Sequence, residues 1–349
     1  MPFKLNFLER QIFLERNWGP GPFIDMLAPL AFKAVAAALK LGVFEALNAN
    51  GALSLAALCE KTRADRRGMA LLASALVGLG YLRGSGASRY AITAMARRWM
   101  LAGSASGIAG MAGYFEDAAD RWTYLDKSIR AGGPAQACDG WLNGRAGAWE
   151  RYHAGMHGVA RLLAGEIVSA AAVPTGAKRL IDIGGGHGLY SVMFCRRHPS
   201  LSATVFDWKQ ARSLAEKTIG EHGMQNRIRF VAGDFFEDDL GAGYDVALLF
   251  NVLRIYPEDK IRFLLKKAGA ALAAGGRLFI ADQFSTKKLR GFAKVNEALV
   301  LLELYNSCAG AVLSSKGLMA MLRDTGFGRC RELFLKRGPG ISIVEALRK

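Results

Sequence analysis

Acidic residues are scarce in this chain. Thirty Asp and Glu stand against 46 Lys and Arg among 349 residues, for a formal net charge of +16. Such an imbalance attracts acidic substrates, anionic carriers, nucleic acid or a membrane surface. The positive residues are nevertheless spread out with no long Lys/Arg block, which equally describes a basic soluble surface. Cysteine is scarce too: five scattered residues, odd in number and without zinc spacing, exclude a disulfide framework and a structural zinc site, and a reducing cytoplasm fits best. No apolar run reads as long enough to cross a bilayer, and Phe3 to Arg16 is broken by Lys4, Glu9, Arg10, Glu15 and Arg16, which excludes a secretory signal there. What remains, 51% hydrophobic and 22% charged, is ordinary globular protein of one large domain or two.

The most informative stretch is Lys178 to Tyr190, KRLIDIGGGHGLY. A buried-strand run (Leu180, Ile181, Ile183) ends in a glycine cluster, and an amphipathic segment runs from Leu189 to Arg197. Gly184, Gly186 and Gly188 allow close backbone approach to a ligand, and the helix after them presents free N–H groups. Further strands are expected at SATVFD, ending in Asp207, at RIRFVAGDFF, reaching Asp234, at YDVALLFN (Tyr244 to Asn251) and at GRLFIAD (Gly276 to Asp282). Asp207 follows Gly184 by 23 residues, where a carboxylate suits the two hydroxyls of a ribose. No P-loop lysine follows the glycines, which argues against a nucleoside triphosphate.

DIGGGHG, Asp207, GDFF, the NVL segment before PEDK, and AAGGRLFIAD together resemble the class I S-adenosylmethionine (SAM)-dependent methyltransferases. More narrowly, they are similar to small-molecule O-methyltransferases of the plant caffeate and animal acetylserotonin type. The resemblance covers nearly the whole chain. It implies an α/β fold: a Rossmann-like, seven-stranded methyltransferase domain preceded by an α-helical winged-helix dimerisation domain. It also implies SAM as cofactor, S-adenosylhomocysteine (SAH) as product, and a homodimer. Asp182 and Gly184, Gly185, Gly186 and Gly188 would hold the methionine end, Asp207 the ribose with Trp208 beside it, and Asp234 the adenine amino group with Phe235 on the ring. Met156 matches the family's methionine near the sulfonium, where a soft thioether suits a positive sulfur. Phe250 and Asn251 stand where relatives contact SAM, although Phe250 replaces a polar residue.

The expected division is 1–105 for the helical dimerisation domain and 106–349 for the methyltransferase domain, with 106–175 as helical linker and pocket segment and 176–349 as the Rossmann-like core. Leu30, Val35, Leu39, Val43 and Leu47 repeat at helical spacing and read as core. Ser54 and Asp65 cap two helices, and a glycine turn at Gly84 and Gly86 joins two short strands in a winged-helix pattern. Arg63, Arg66 and Arg67 would suit DNA there, so a winged-helix regulator is a competing function class. The apolar remainder of that helix suits a dimer seam instead, and no specific nucleic acid or membrane span is expected as a partner. Residues 103–148 read as glycine-rich and irregular with short helical pieces, and Tyr114, Phe115, Trp122, Tyr124, Trp141 and, just beyond, Trp149 suit a flat, apolar substrate. Residues 149–173 read as one helix; His153 and His157 share a face at i, i+4, but no acid or third histidine accompanies them as in HExxH, so no metal is expected.

Catalysis is where the chain departs from its relatives. Most carry a segment shaped NVLHDW, whose histidine deprotonates the acceptor; this chain reads NVLRIYPED. Arg254 takes the histidine's place, and arginine stays protonated near neutral pH. Ile255 takes the place of the acid. Asp282 stands near one supporting acid of the family, and the segment Cys308 to Lys316, where the second should fall, holds no acid. Either the acceptor needs no such base, with Arg254 steadying an anionic group and His153, His157 or Tyr256 as substitute bases, or SAM binds without methyl transfer, as in tailoring relatives that hydroxylate or decarboxylate.

Overall fold

Side chains alternate along the strands, and that alternation builds the larger unit. In β3 (Arg179–Ile183), Leu180 enters one hydrophobic cluster, and Ile181 and Ile183 enter another. In β6 (Tyr244–Phe250), Val246, Leu248 and Phe250 join the first cluster, and Ala247 and Leu249 the second. Two apolar faces on one strand require helices on both sides of the sheet. The computed structural model describes residues 5–16, 18–84, 89–104, 107–284, 289–308, 313–336 and 340–349. Asn17, Gly86, positions 309–312 of the second-acid segment and the Gly338-Pro339 turn lie outside the described residues.

The chain divides into two units, Met1–Glu116 and Asp117–Lys349. The division falls inside the helix Met111–Trp122 rather than at 105/106. The second unit holds a seven-stranded sheet in the order β5-β4-β3-β6-β7-β9-β8. Here β4 is Ser202–Asp207, β5 Ile228–Ala232, β7 Leu272–Gln283, β8 Phe327–Phe334 and β9 Ile341–Arg348. β5, β4, β3, β6 and β7 run parallel, whereas β9 pairs antiparallel with both β7 and β8. From β3 the order proceeds to β4 and β5 on one side and to β6 and β7 on the other. The crevice outside the carboxyl ends of β3 and β6 is therefore the topological switch point, where open α/β sheets bind ligands.

The first unit is helical. Ser54 caps Leu55–Thr62, and Asp65 caps Arg66–Gly78 by accepting from the Gly68 N–H at 2.7 Å. A two-stranded antiparallel sheet, β1 (Leu82–Arg83) with β2 (Ala91–Ile92), closes on Val43, Phe44 and Leu47 in one cluster. Phe7, Leu8, Trp18, Phe23, Met26 and Leu71 are exposed in this unit.

Two expectations change. Leu30 is 66% exposed rather than core, because the five-residue step to Val35 turns it off the buried stripe. Against the expectation that no apolar run could cross a bilayer, the helix Pro22–Lys40 runs through Pro29 and, at 19 residues and mean hydropathy 1.5, is long and apolar enough to do so by length and composition. The short helical pieces expected within 103–148 are Met111–Trp122, Leu125–Ala131 and Cys138–Asn143.

Removing the Asp65 cap leaves a helix-end N–H without its acceptor. Asp65→Ala should cost about 1 kcal/mol, read as a lowered urea midpoint for the first unit. An unchanged midpoint would contradict the cap's role.

Candidate cofactor and catalytic site

The loop after β3 turns on three left-handed glycines: φ is 71° at Gly184, 48° at Gly186 and 70° at Gly188. Side chains other than glycine rarely adopt that region. Gly185 is required for a different reason, since a Cβ there would lie 2.6 Å from the carboxyl carbon of Asp182. A Cβ on Gly186 would make ordinary van der Waals contact with Asp207 Oδ2 at 3.7 Å and His153 Nδ1 at 3.8 Å, so this glycine is required for its φ rather than for space. The helix Leu189–Arg197 starts directly after the turn, with Gly188 as its N-cap.

Asp207 and Asp182 stand against this turn, and Asp234 follows β5 by two residues. Asp207, the last residue of β4, accepts from the Gly186 N–H at 2.7 Å and from its neighbour's Trp208 N–H at 2.6 Å. Burial raises its pKa to about 6 against the pull of those two bonds. Asp182 lies under the loop, fully buried, and accepts from the Ser191 hydroxyl at 2.8 Å. Burial, and secondarily the charge of Asp207, raises it to about 7. Asp234 is partly buried and accepts from the Phe236 N–H at 2.8 Å. Phe235 is buried and packs edge-on to Tyr256 at 5.9 Å.

The helix Ala148–Ala170 carries Trp149, His153, Met156 and His157. His153 stacks on Trp149 at 5.7 Å and 23°, and Trp149 meets Trp208 edge-on at 5.7 Å. His157 packs against His187 of the glycine turn at 5.3 Å. Nε2 of both His153 and His157 is buried without a hydrogen-bond partner. Burial lowers both histidines to about 4 and His187 to about 3, so all are neutral at neutral pH. Met156 is half-buried on the same helix. Phe250 is a core ring, edge-on to Tyr190 at 4.8 Å. Asn251 takes a left-handed φ of 59°, a strained conformation next to the crevice.

On the far side of β6, the short turn Leu253–Ile255 carries Arg254, whose Nε lies 3.5 Å from Asp282 Oδ1 near the end of β7. The other oxygen, Asp282 Oδ2, is buried and without a hydrogen-bond partner. Burial raises the Asp282 pKa and the Arg254 charge opposes that rise. Tyr256 is half-buried, and burial raises its phenol well above the usual range. Of the substitute bases expected from the sequence, the two histidines are thus weakened by burial, and Tyr256 holds its proton more tightly than an ordinary tyrosine.

The structure brings the glycine turn, Asp182, Asp207, Trp208 and His153 together. It places Arg254 with Asp282 and Tyr256 with Phe235, and it turns Phe250 into the core. Two contacts went unread in the sequence. Ser191 closes on Asp182, and Trp149, read as one of several pocket aromatics, bridges His153 and Trp208. Helical spacing from Trp149 to His153 was the available signal for the second.

The profile of the O-methyltransferase domain matches residues 144–328, and that of the O-methyltransferase dimerisation domain matches residues 26–102. A 3-hydroxy-5-methyl-1-naphthoate 3-O-methyltransferase of Streptomyces sahachiroi is 28% identical over 321 residues, 90% of each chain. The acetylserotonin O-methyltransferase of Rattus norvegicus is 24% identical over 327 residues, 88% of this chain and 74% of that one. Among solved structures, human N-acetylserotonin methyltransferase in complex with SAM aligns with a TM-score of 0.81 at 21% identity, covering 100% of this chain and 99% of that one.

The raised carboxyl of Asp182 gives a signed pH dependence. Its pKa moves from 3.8 to about 7 on folding, so its contribution is fully present below pH 3.8 and is lost as pH rises through about 7. Asp182→Asn keeps an acceptor for Ser191 and removes the titration. Denaturation of the ligand-free protein should therefore show the variant gaining on wild type from about pH 4 to about pH 7. A difference that does not change with pH would contradict the buried, proton-holding carboxyl.

Proposed function

The chain belongs to the O-methyltransferase family and is a SAM-dependent methyltransferase, and from that premise we propose that it methylates a small aromatic or polycyclic metabolite without a histidine base. The observation that carries this reading is the glycine turn at the switch point, with Asp207 bonded to it. The donor chemistry fits the cofactor: SAM presents hydroxyls, amino groups and a positive sulfur, and the carboxylates of Asp182 and Asp207 stand at the turn, with Asp234 two residues past β5. Asp207 would take the ribose, Asp234 the adenine amino group, Phe235 and Trp208 the ring faces, and Met156 the neighbourhood of the sulfonium. The N–H groups of Gly184 to Gly188 and the side chain of Asn251 would hold the methionine end. Asp182 supports the loop from beneath.

When bound, SAM supplies a methyl group on a sulfonium, open to in-line attack. The chain's own residues position the acceptor and shield the site. Arg254 holds its proton and stands beside Asp282, so it orients rather than deprotonates. The acceptor class that fits is an amine, a thiol, an acidic phenol or an activated carbon. For these, placement in line can contribute about 7–11 kcal/mol. The aromatic relatives support a flat substrate, with Trp122, Tyr124 and Trp141 of the second unit as candidate walls. The dimerisation domain supports a homodimer, in which the exposed apolar residues of the first unit face a second copy. We place the enzyme in the cytoplasm, on its five free cysteines.

Titration calorimetry with SAH should give a micromolar Kd, about 8 kcal/mol. Asp207→Ala should weaken it by about 10- to 100-fold, the range for losing a hydrogen bond to a charged group. Unaltered binding by that variant would remove Asp207 from the ribose. Light scattering at micromolar concentration should give twice the chain mass with an interface above ~2,000 Å²; a monomer would contradict the dimer.

A further inference from the structure

We propose that the recess at the amino ends of β3, β4 and β5 is a second ligand site, for a small molecule that carries a chain of phosphate groups. It goes beyond the cofactor reading and does not depend on it. The recess has a volume of about 300 Å³ and lies wholly within the second unit. That is the lower end of the range for small-molecule sites. Arg179, Arg227 and Arg229 line it together with Ser202, Thr204 and Asn226, and no carboxylate is among the described residues that line it. It stands at the end of the sheet opposite the glycine turn, since Arg179 opens β3 and the turn follows Ile183, the last residue of that strand.

The charges in the recess are uncompensated. Arg212, Arg277 and Arg331 of the same unit each pair with a glutamate, at 3.0, 2.7 and 2.6 Å, whereas Arg179, Arg227 and Arg229 pair with no carboxylate among the described residues. Asp245, next to the lining residue Tyr244, spends Oδ2 on the backbone N–H groups of Lys178 and Arg179, at 2.8 and 2.9 Å. Neutral groups hold the guanidiniums instead. Arg229 Nε donates to Thr204 Oγ1 at 3.1 Å, which leaves both Nη groups without a partner among the described residues. Arg179 Nη1 donates to the Ala242 carbonyl at 2.9 Å, and its guanidinium lies over the Tyr244 ring at 4.7 Å. Arg227 Nη2 donates to the Cys195 and His198 carbonyls, both at 2.8 Å. Oriented guanidiniums with open N–H groups suit phosphate oxygens. The register sets the length of the ligand. Arg179 pairs with Ser202, and Thr204 with Arg229, so the two arginines share a face, two strands and two residues apart. That is about 12 Å between backbones. Arg179 leans toward Tyr244 of β6 and Arg229 toward Thr204 of β4, so the two forks are held apart, which fits phosphates in a row better than one phosphate.

Titration calorimetry of the full chain with tripolyphosphate at low salt should show one saturable site, with orthophosphate binding at least about tenfold more weakly. Arg179→Gln and Arg229→Gln should each weaken tripolyphosphate about tenfold, as for a lost hydrogen bond to a charged group. Arg229→Lys, which keeps the charge and loses the fork, should fall between Arg229→Gln and wild type. Arg329→Gln removes the same charge from an exposed position on β8 and should leave binding unchanged. ATP distinguishes the source of the phosphates: tighter binding than tripolyphosphate assigns the site to a nucleotide, and equal binding assigns it to the phosphate chain alone. Thermal midpoints of the variants that match wild type place the loss at the site rather than in folding. Equal weakening by Arg179→Gln, Arg229→Gln and Arg329→Gln would reduce the effect to net charge and overturn the proposal. Displacement of tripolyphosphate by SAH would overturn it too, because the glycine turn lies at the other end of the sheet. So would a single-stranded oligonucleotide that binds more tightly than tripolyphosphate and loses affinity in Arg229→Gln.

Discussion

Everything in the larger unit that bears on function depends on a turn that only glycine can make, held by a carboxylate. Gly184, Gly186 and Gly188 sit at positive φ, and the Gly186 N–H is bonded to Asp207 at 2.7 Å. The bond spans β3 and β4, so the sheet register that pairs Ile183 with Phe206 also sets where the turn stands. Asp182 beneath the turn leaves no room for a Cβ on Gly185. Sequence, register and loop therefore constrain one another at the point where the sheet order reverses, and the helix that follows starts with its N–H groups facing the same crevice.

The site is electrostatically divided. Around the turn, burial raises Asp182 and Asp207 and lowers His153, His157 and His187, so each group is pushed toward its neutral form. A cationic ligand with several donors reverses that penalty for the acids, which gives the site a physical reason to prefer a positive sulfonium. Across β6 the charges are Arg254 and Asp282, opposite in sign and 3.5 Å apart. At the position where the sequence resemblance implies a histidine base, this chain has Arg254 beside Asp282. That is why proximity, rather than proton removal by a histidine, carries the proposed transfer.

Much of this was legible in the sequence because it was written in local periodicity and turn chemistry. SATVFD is β4 residue for residue, and YDVALLFN misses the end of β6 only by including Asn251. Ser54 and Asp65 cap the helices they were expected to cap. The site acids could be placed because strand ends place them. Long-range geometry was less legible. The ring run Trp149, His153 and Trp208 joins residues far apart in the chain, and the closure of Ser191 on Asp182 depends on how a helix docks against a strand. Leu30 failed for a simpler reason: its spacing to Val35 is off by one residue, and a hundred degrees of helix per residue moves it out of the core. The helix Phe292–Cys308 carried no expectation, since its apolar residues are distributed around its circumference rather than in a stripe.

The central claim is that this chain transfers a methyl group from SAM to a small aromatic acceptor. The most direct test incubates the purified protein with methyl-labelled SAM and a panel of hydroxynaphthoates, phenols, aryl amines and aryl thiols, and follows products by mass spectrometry. The account predicts at least one acceptor gaining a single labelled methyl, with one SAH released for each. SAM bound and recovered intact across the whole panel, with no labelled acceptor, would contradict it.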